Sequence, residues 1–392
     1  MGKVILREHI LLLSGQHVEA AMCNTKGFGT PYLTGPSDFP NGQITVTKFT
    51  EYPKVICSAG DILITVKGSG VGSLTLADQP YCISRQLMAI QSISLDRNFV
   101  HFQLEFLIER FKRNAVGAIP GITREDILNI EIPSVPYKLQ ERIGKILGTW
   151  DSAIALTENL IAAKQKRKEF LLDYLLSKNA HNEWRKLKLA ELSTKPISYG
   201  IVQTGEPVKR GIPCVRVVDL TARELKPQKM ITTCEEISQS YKKTILEKGE
   251  LMIALRGEIG LVRLVDEKLV GCNLTRGIAR VSPDKRLVLP EYLLWAIRSP
   301  LFRNNLLRRV NGSALQEIPI TELRKVIVPV PPIERQQVIA NLLDTADYEI
   351  EIIQNLFNFL QTQKRGLMQK LLTGEWRVKI EEAGQQLTEL KT

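Results

Sequence analysis

One stretch of this chain is written twice. Pro133 to Leu176 recurs as Pro329 to Leu372, in register, without a gap, 196 positions further on. Pro133, Pro136, Gln140, Ile143, Leu147, Asp151, Ile154, Leu160, Gln165, Lys168, Leu171 and Leu175 return as Pro329, Pro332, Gln336, Ile339, Leu343, Asp347, Ile350, Leu356, Gln361, Lys364, Leu367 and Leu371. Solenoid repeats run to about 20–50 residues, so a period this long means a duplicated domain-plus-helix unit. A chain of 392 residues is too long for one core and long enough for two or three.

Each copy reads as a strand that hands over to a helix. Ile130-Glu131-Ile132-Pro133 and Val326-Ile327-Val328-Pro329 are short β-branched runs halted by proline. Pro136 and Pro332 then open a helix in its first turn, where no backbone N–H is needed. Along the first helix, Ile143, Leu147, Trp150, Ile154, Thr157, Ile161, Lys164, Lys168, Leu171 and Leu175 fall in steps of four and three. In the second, Ile339, Leu343, Ala346, Ile350, Ile353, Phe357, Leu360, Lys364, Leu367 and Leu371 do the same. That spacing over several heptads predicts a coiled-coil seam rather than one face packed on a globular core. Lysines in the seam set register at a cost in stability, or snorkel to solvent. The nearest partner for one seam is the other copy, tethered in the same chain. An antiparallel pair is expected, a rod of about 60 Å that spaces the domains preceding each helix.

Those domains are predicted at 1–132 and 179–328, with the helices at 133–178 and 329–374. Gly60-Asp61-Ile62-Leu63-Ile64-Thr65-Val66-Lys67-Gly68 matches Gly249-Glu250-Leu251-Met252-Ile253-Ala254-Leu255-Arg256-Gly257, and Ser84-Arg85-Gln86-Leu87 matches Thr275-Arg276-Gly277-Ile278. Each domain then carries an amphipathic helix, Phe99 to Lys112 and Pro290 to Leu307. The class is α+β, two similar mixed α/β domains of one fold with divergent surfaces. Glu375-Trp376-Arg377-Val378-Lys379-Ile380 repeats Glu183-Trp184-Arg185-Lys186-Leu187-Lys188. The tail, 375–392, is therefore expected to fold back on the first domain and close a cyclic pseudo-twofold arrangement.

Composition narrows the chemistry. A formal charge of +11 and a pI near 9.3 fit either a polyanionic partner or a solvated basic surface. No apolar run approaches the roughly 18 residues of a membrane span, and the first residues lack a secretory core, which suggests a cytoplasmic protein. The six cysteines form no C-x-x-C pair and the four histidines are scattered, so neither a zinc site nor a disulfide framework is expected. The cysteines read as small buried hydrophobes. Neither G-x-S-x-G nor G-x-x-x-x-G-K-[ST] occurs. Gly68-Ser69-Gly70-Val71-Gly72 reads as a hairpin turn rather than a dinucleotide loop. Val330-Pro331-Pro332-Ile333 lacks the polar and aromatic residues of an amino-methyltransferase motif. No catalytic or metal-binding residue is predicted, so the chain reads as one that binds.

Cations recur where they would serve binding. Lys67 and Arg256 end the same strand in each copy, and Arg85 and Arg276 lie on the segment that follows. Lys112 and Arg113 end one domain helix, Arg308 and Arg309 the other, where they serve either phosphate binding or the helix dipole. Lys209, Arg210 and Arg263 complete the set of candidate DNA contacts. Arginine forks onto guanine and lysine supplies phosphate charge.

The strand-proline-helix run from Val328-Pro329-Val330-Pro331-Pro332 to Gly374-Glu375-Trp376, present in both copies beside two divergent domains, resembles the specificity subunit of type I restriction-modification systems. The first copy departs mildly, at Ser134-Val135 and Ser177-Lys178. The resemblance implies two target recognition domains, each reading one half of a split, asymmetric target on double-stranded DNA. The helix pair would fix the gap, with half-sites centred roughly one to one and a half turns apart. It further implies a prokaryotic, cytoplasmic complex containing two DNA-adenine methyltransferase subunits and restriction (motor-endonuclease) subunits. S-adenosylmethionine, ATP and magnesium would belong to those partners, with no cofactor on this chain. The competing readings are a coiled-coil adaptor that binds proteins, and a nuclease or methyltransferase acting alone.

Overall fold

The computed structural model describes residues 2–68, 70–114, 121–178, 184–309 and 316–376, with backbone alone at 41, 109–114, 177 and 178. The chain forms two compact units, Met1–Glu158 with Asn355–Thr392, and Asn159–Gln354. Each holds one mixed α/β domain, the start of one long helix and the end of the other.

The two domains share one strand order. In the first, strands Ile10–Ser14, Leu87–Ser92, Ile62–Thr65 and Leu74–Leu76 lie side by side in that order, all antiparallel. In the second the same places are taken by Ser198–Tyr199, Ile278–Val281, Leu251–Ala254 and Val262–Leu264. A second sheet centres on Thr30–Leu33, antiparallel to Phe49–Thr50 and parallel to Tyr81–Ile83. Its counterpart centres on Ile212–Val215, antiparallel to Ile231–Thr233 and parallel to Asn273–Leu274. Strands Ile62–Thr65 and Leu251–Ala254 are buried at every residue, which is why both read as unbroken apolar runs rather than as an alternation. The Gly68-to-Gly72 segment, of which Ser69 is not described, joins two antiparallel strands as a hairpin.

Strand Glu131–Pro133 pairs with Lys3–Ile5, and Ile327–Val330 with Arg185–Lys188. These ladders have two strands each, so proline sits on an edge, where a missing donor is tolerated. The long helices follow, Tyr137–Asp173 and Ile333–Leu372. Gln140 and Gln336 clamp the two helix starts in the same way. Each side-chain carbonyl accepts from the backbone N–H at the head of a domain helix, Asp96 at 2.9 Å and Leu289 at 2.8 Å, and each amide donates to a backbone carbonyl, that of Val135 or Pro331 at 2.8 Å.

Helix starts meet helix ends, antiparallel, inside each unit. In the first, Ile143 and Leu147 join Met368, Leu371 and Leu372 in one core with Phe99, Val100 and Leu104. In the second, Ile339 and Leu343 join Leu175 and Leu176 in one core with Tyr292, Leu293 and Ile297, against which Leu171 packs. Leu367 packs on the first core in the same way. The outer seam positions are therefore core residues of the domains, contrary to the expectation of a seam apart from any globular core. Trp150, Ile154, Ile350, Ile353, Phe357 and Leu360 are half-buried and Ile161 is buried.

Seam lysines are ion-paired rather than free. Lys364 lies 2.6 Å from Asp151 and 2.9 Å from Glu105, with its ammonium 5.1 Å from the Phe102 ring centroid. At the positions 196 residues away, Lys168 lies 2.7 Å from Asp347, which also sits 3.9 Å from Arg298, and that guanidinium covers Trp295 at 4.8 Å. The same lysine–aspartate pair thus carries a second anion in one unit and a second cation in the other. Lys164 pairs with Glu349 at 2.7 Å in the second unit.

Two further expectations are revised. The first domain helix runs Arg97–Asn114. The single helix expected from Pro290 to Leu307 is two, Pro290–Arg298 and Pro300–Leu307, because Pro300 has no N–H to continue the first and the Ser299 hydroxyl caps the second by accepting from Phe302 N at 3.2 Å. The tail expected to return to the first domain lies, from Arg377 onward, outside the described residues.

Leu147 and Leu343 are repeat-related and fully buried. Leu147→Ala should destabilise the first unit and Leu343→Ala the second, each by about 2–5 kcal/mol, read by chemical denaturation with Trp150 and Trp295 as local reporters.

Candidate nucleic-acid interface

The loop cations are brought together by backbone pairing at one end of each central sheet. Val66 N donates to the carbonyl of Gln86 at 2.8 Å, so Lys67 and Arg85 flank one hydrogen bond. Leu255 N donates to the carbonyl of Gly277 at 2.8 Å and places Arg256 beside Arg276 in the same manner. The neighbouring backbone is tightly held. A Cβ at Gly15 would lie 2.2 Å from the Ser84 carbonyl oxygen, and one at Gly200 only 2.0 Å from that of Leu274, so only glycine lets these segments cross. The Ser84 hydroxyl donates to Thr34 O at 2.6 Å, and the Thr275 hydroxyl to Val215 O at 3.1 Å. On this frame Lys67, Arg85, Arg256 and Arg276 are exposed, and their side chains make no hydrogen bond or ion pair among the described residues. Exposed, unpaired cations on a fixed backbone suit phosphate and base contacts.

The remaining candidates divide. Lys209 and Arg210 are exposed on the turn before strand Ile212–Val215. Arg263 is committed internally: its guanidinium donates to Leu220 O at 3.0 Å and to Ala222 O at 2.8 Å, holding the end of helix Val217–Leu220. Arg309 is half-buried in an ion pair with Glu322 at 3.2 Å. Arg308 is exposed as the residue that follows helix Pro300–Leu307, suited to the helix dipole. Lys112 and Arg113 fall in the last turn of helix Arg97–Asn114, and their side chains lie outside the described residues.

Sequence reasoning missed the rest of the surface around Arg85. An open groove of about 890 Å³ beside it is lined by His17, Asn24, Lys26, Phe28, Lys48 and Gln86 among others. The signal was present as Lys26-Gly27-Phe28-Gly29, a ring between glycines, which marks a turn that displays its side chain. No group of three metal-ligating side chains occurs among the described residues. All six cysteines are free, four buried and Cys23 and Cys234 half-buried. Burial pushes the Cys57, Cys214 and Cys272 thiols up to about 11, which makes them poor nucleophiles.

The sequence profile of the type I restriction modification DNA specificity domain matches this chain twice, over residues 14–165 and 182–362. The chain belongs to that family. It is 24% identical to the type I restriction enzyme EcoBI specificity subunit of Escherichia coli, over 64% of this chain and 56% of that subunit. It therefore spans little more than half of this relative's length. It is 23% identical to the MjaVIII specificity subunit of Methanocaldococcus jannaschii, over 83% of this chain and 81% of that one. Among solved structures, the type I restriction-modification S subunit of M. genitalium superposes with a TM-score of 0.61 at 16% identity, covering 95% of this chain and 96% of that chain. That likeness is one of fold: two mixed α/β domains with long helices. The family's description is one of DNA specificity rather than of a protein-binding adaptor.

Arg85→Ala and Arg276→Ala should leave stability within about 0.5 kcal/mol of the parent, as for surface sites without partners. Arg263→Ala should cost about 1–3 kcal/mol by orphaning two carbonyls. Thermal melting of the three variants checks the division between exposed arginines and the internally committed one.

Proposed function

We propose that this chain is the non-catalytic subunit that reads DNA for a restriction-modification complex, each domain reading one half of a two-part, asymmetric duplex target. The observation that carries this reading is the pair of exposed loop cations on each copy of the frame, Lys67 with Arg85 and Arg256 with Arg276, amid otherwise divergent residues. A symmetric dimer presents the same surface twice and favours a palindrome. One chain with two unlike surfaces reads two unlike half-sites, held apart by a gap that the long helices set.

On this reading methyl transfer and cleavage belong to other chains. Two DNA-adenine methyltransferase subunits would bring S-adenosylmethionine, and restriction subunits ATP and magnesium. The repeat-related pairs Leu156 with Ile352 and Leu160 with Leu356 are exposed on the long helices and offer the methyltransferase subunits matching apolar anchors. A cytoplasmic location follows from a chromosomal target. Among the described residues no helix is long and apolar enough to cross a membrane.

The purified chain should bind its duplex with an affinity that falls linearly on a log–log plot against salt, with a slope of about −0.9 per phosphate neutralised. Binding insensitive to both salt and sequence would sink this reading in favour of the adaptor. Methyl transfer to duplex from S-adenosylmethionine by the chain alone would overturn the non-catalytic assignment. The methylated motif of the source genome, with and without this gene, should show two unlike halves around a fixed gap.

A further inference from the structure

The turns that enter the corresponding strands Thr30–Leu33 and Ile212–Val215 carry different residues in the two domains. In the first, Gly29 precedes strand Thr30–Leu33, and a Cβ there would lie 2.3 Å from the carbonyl oxygen of Thr50. In the second, Gly211 precedes strand Ile212–Val215, and its Cβ would lie 2.4 Å from the carbonyl oxygen of Thr233. Thr30 pairs with Thr50 and Ile212 with Thr233, and both threonines are fully buried. The Thr50 hydroxyl donates to Met22 O at 2.9 Å and the Thr233 hydroxyl to Thr204 O at 2.7 Å. Strand register, glycine position and threonine therefore correspond, while the left-handed backbone falls on Gly29 in the first turn and on Arg210 in the second. The residue just before the glycine, Phe28 or Arg210, occupies the same place on both frames.

Both turns are braced so that this residue is displayed rather than tucked away. Asn24 accepts from Lys26 N at 3.0 Å and Phe28 N at 3.1 Å through Oδ1, and its amide donates to Phe28 O at 2.9 Å. Phe28 nonetheless stays 62% exposed. It borders the groove that also carries Lys26, Lys48 and Arg85, with Glu51 as the acidic member. In the second unit the Thr232 hydroxyl accepts from Val208 N at 3.1 Å and donates to Val208 O at 2.9 Å, and Gly211 N closes the turn on Val208 O at 2.9 Å. Arg210 has φ 66°, the one non-glycine residue with positive φ among the described residues. It is exposed, and its side chain makes no hydrogen bond or ion pair among those residues. An arginine in the left-handed region carries a backbone cost, which the braced turn holds in place.

We propose that this turn tip is where the two half-sites are told apart: Phe28 reads an A·T pair through apolar contact with the thymine methyl, and Arg210 reads a G·C pair by forking onto guanine. The chemistry follows from the side chains. A phenyl ring offers no hydrogen bond and rewards an apolar base edge, whereas a guanidinium matches the two acceptors of guanine. The adjoining cations Lys26, Lys48 and Arg85 supply phosphate charge that holds duplex in the groove without reading sequence. The inference rests on the reading of each domain as the reader of one half-site.

The test uses the full chain in its natural complex with a randomised duplex pool, sequencing the bound fraction. Phe28→Ala should lose preference at one A·T pair in one half-site. Arg210→Lys, which keeps the charge and loses the fork, should lose preference at one G·C pair in the other. Each loss should be about 5- to 150-fold in discrimination, the span of about 1–3 kcal/mol. Arg210→Gly, which relieves the backbone cost, should give the same loss as Arg210→Lys in a protein that folds at least as well as the parent. Unchanged preferences, changes in the same half, or an equal loss of affinity for every sequence would overturn the assignment while the parent still selects its target. A parent chain that enriches no sequence overturns the half-site reading itself, and this inference with it.

Discussion

In both units the start of one repeat-related helix and the end of the other meet antiparallel around one lysine–aspartate contact, with Lys364 buried in the first and Lys168 half-buried in the second. Flanking leucines carry the apolar part of the energy, and the ion pair selects the register. A lysine removed from water is tolerable only opposite a carboxylate, so a slip by one turn in the first unit would strand the buried Lys364. Each unit needs residues from both copies of the repeat to complete its core. The duplication is thus a single folding constraint, because neither copy buries its seam without the other.

The contact is also where the copies diverge most informatively. Around Lys364 a second carboxylate, Glu105, is added; around Asp347 a second cation, Arg298. Each added group lies on the domain helix that packs there, beside an aromatic ring, Phe102 or Trp295, under a cation. The two nodes therefore differ in net charge by two elementary charges although their backbone frames correspond. The domain surfaces behave likewise: Gly29 with Thr50 and Gly211 with Thr233 preserve a close backbone approach at the strand start, and the residue before that glycine is a ring in one copy and a guanidinium in the other. A frame held by glycine, threonine and backbone pairing leaves neighbouring side chains free to vary, which lets two unlike surfaces share one fold.

Much of the frame was legible because its signals are local. Strand–proline–helix punctuation, the steps of four and three, and the matched runs from Gly60 and Gly249 each reflect a nearest-neighbour rule. Legibility failed where a residue's role depends on what folding brings against it. Arg263 reads as one more free cation, yet two carbonyls around residues 220 and 222 occupy it. Ile143 and Leu371 read as seam but close domain cores. Lys26, Phe28 and Lys48 were not singled out in the sequence, because only the fold sets them around Arg85.

Sequence alone determined the duplication, the two-domain architecture, the long helices and the absence of recognisable catalytic motifs, because periodicity and motif spacing are properties of the chain itself. Tertiary structure decided which cations are free and which are committed, how each seam lysine is neutralised, and which turn residues correspond between the domains. Those outcomes depend on contacts between segments distant in sequence, and no local pattern encodes which carbonyl or carboxylate a given side chain will meet.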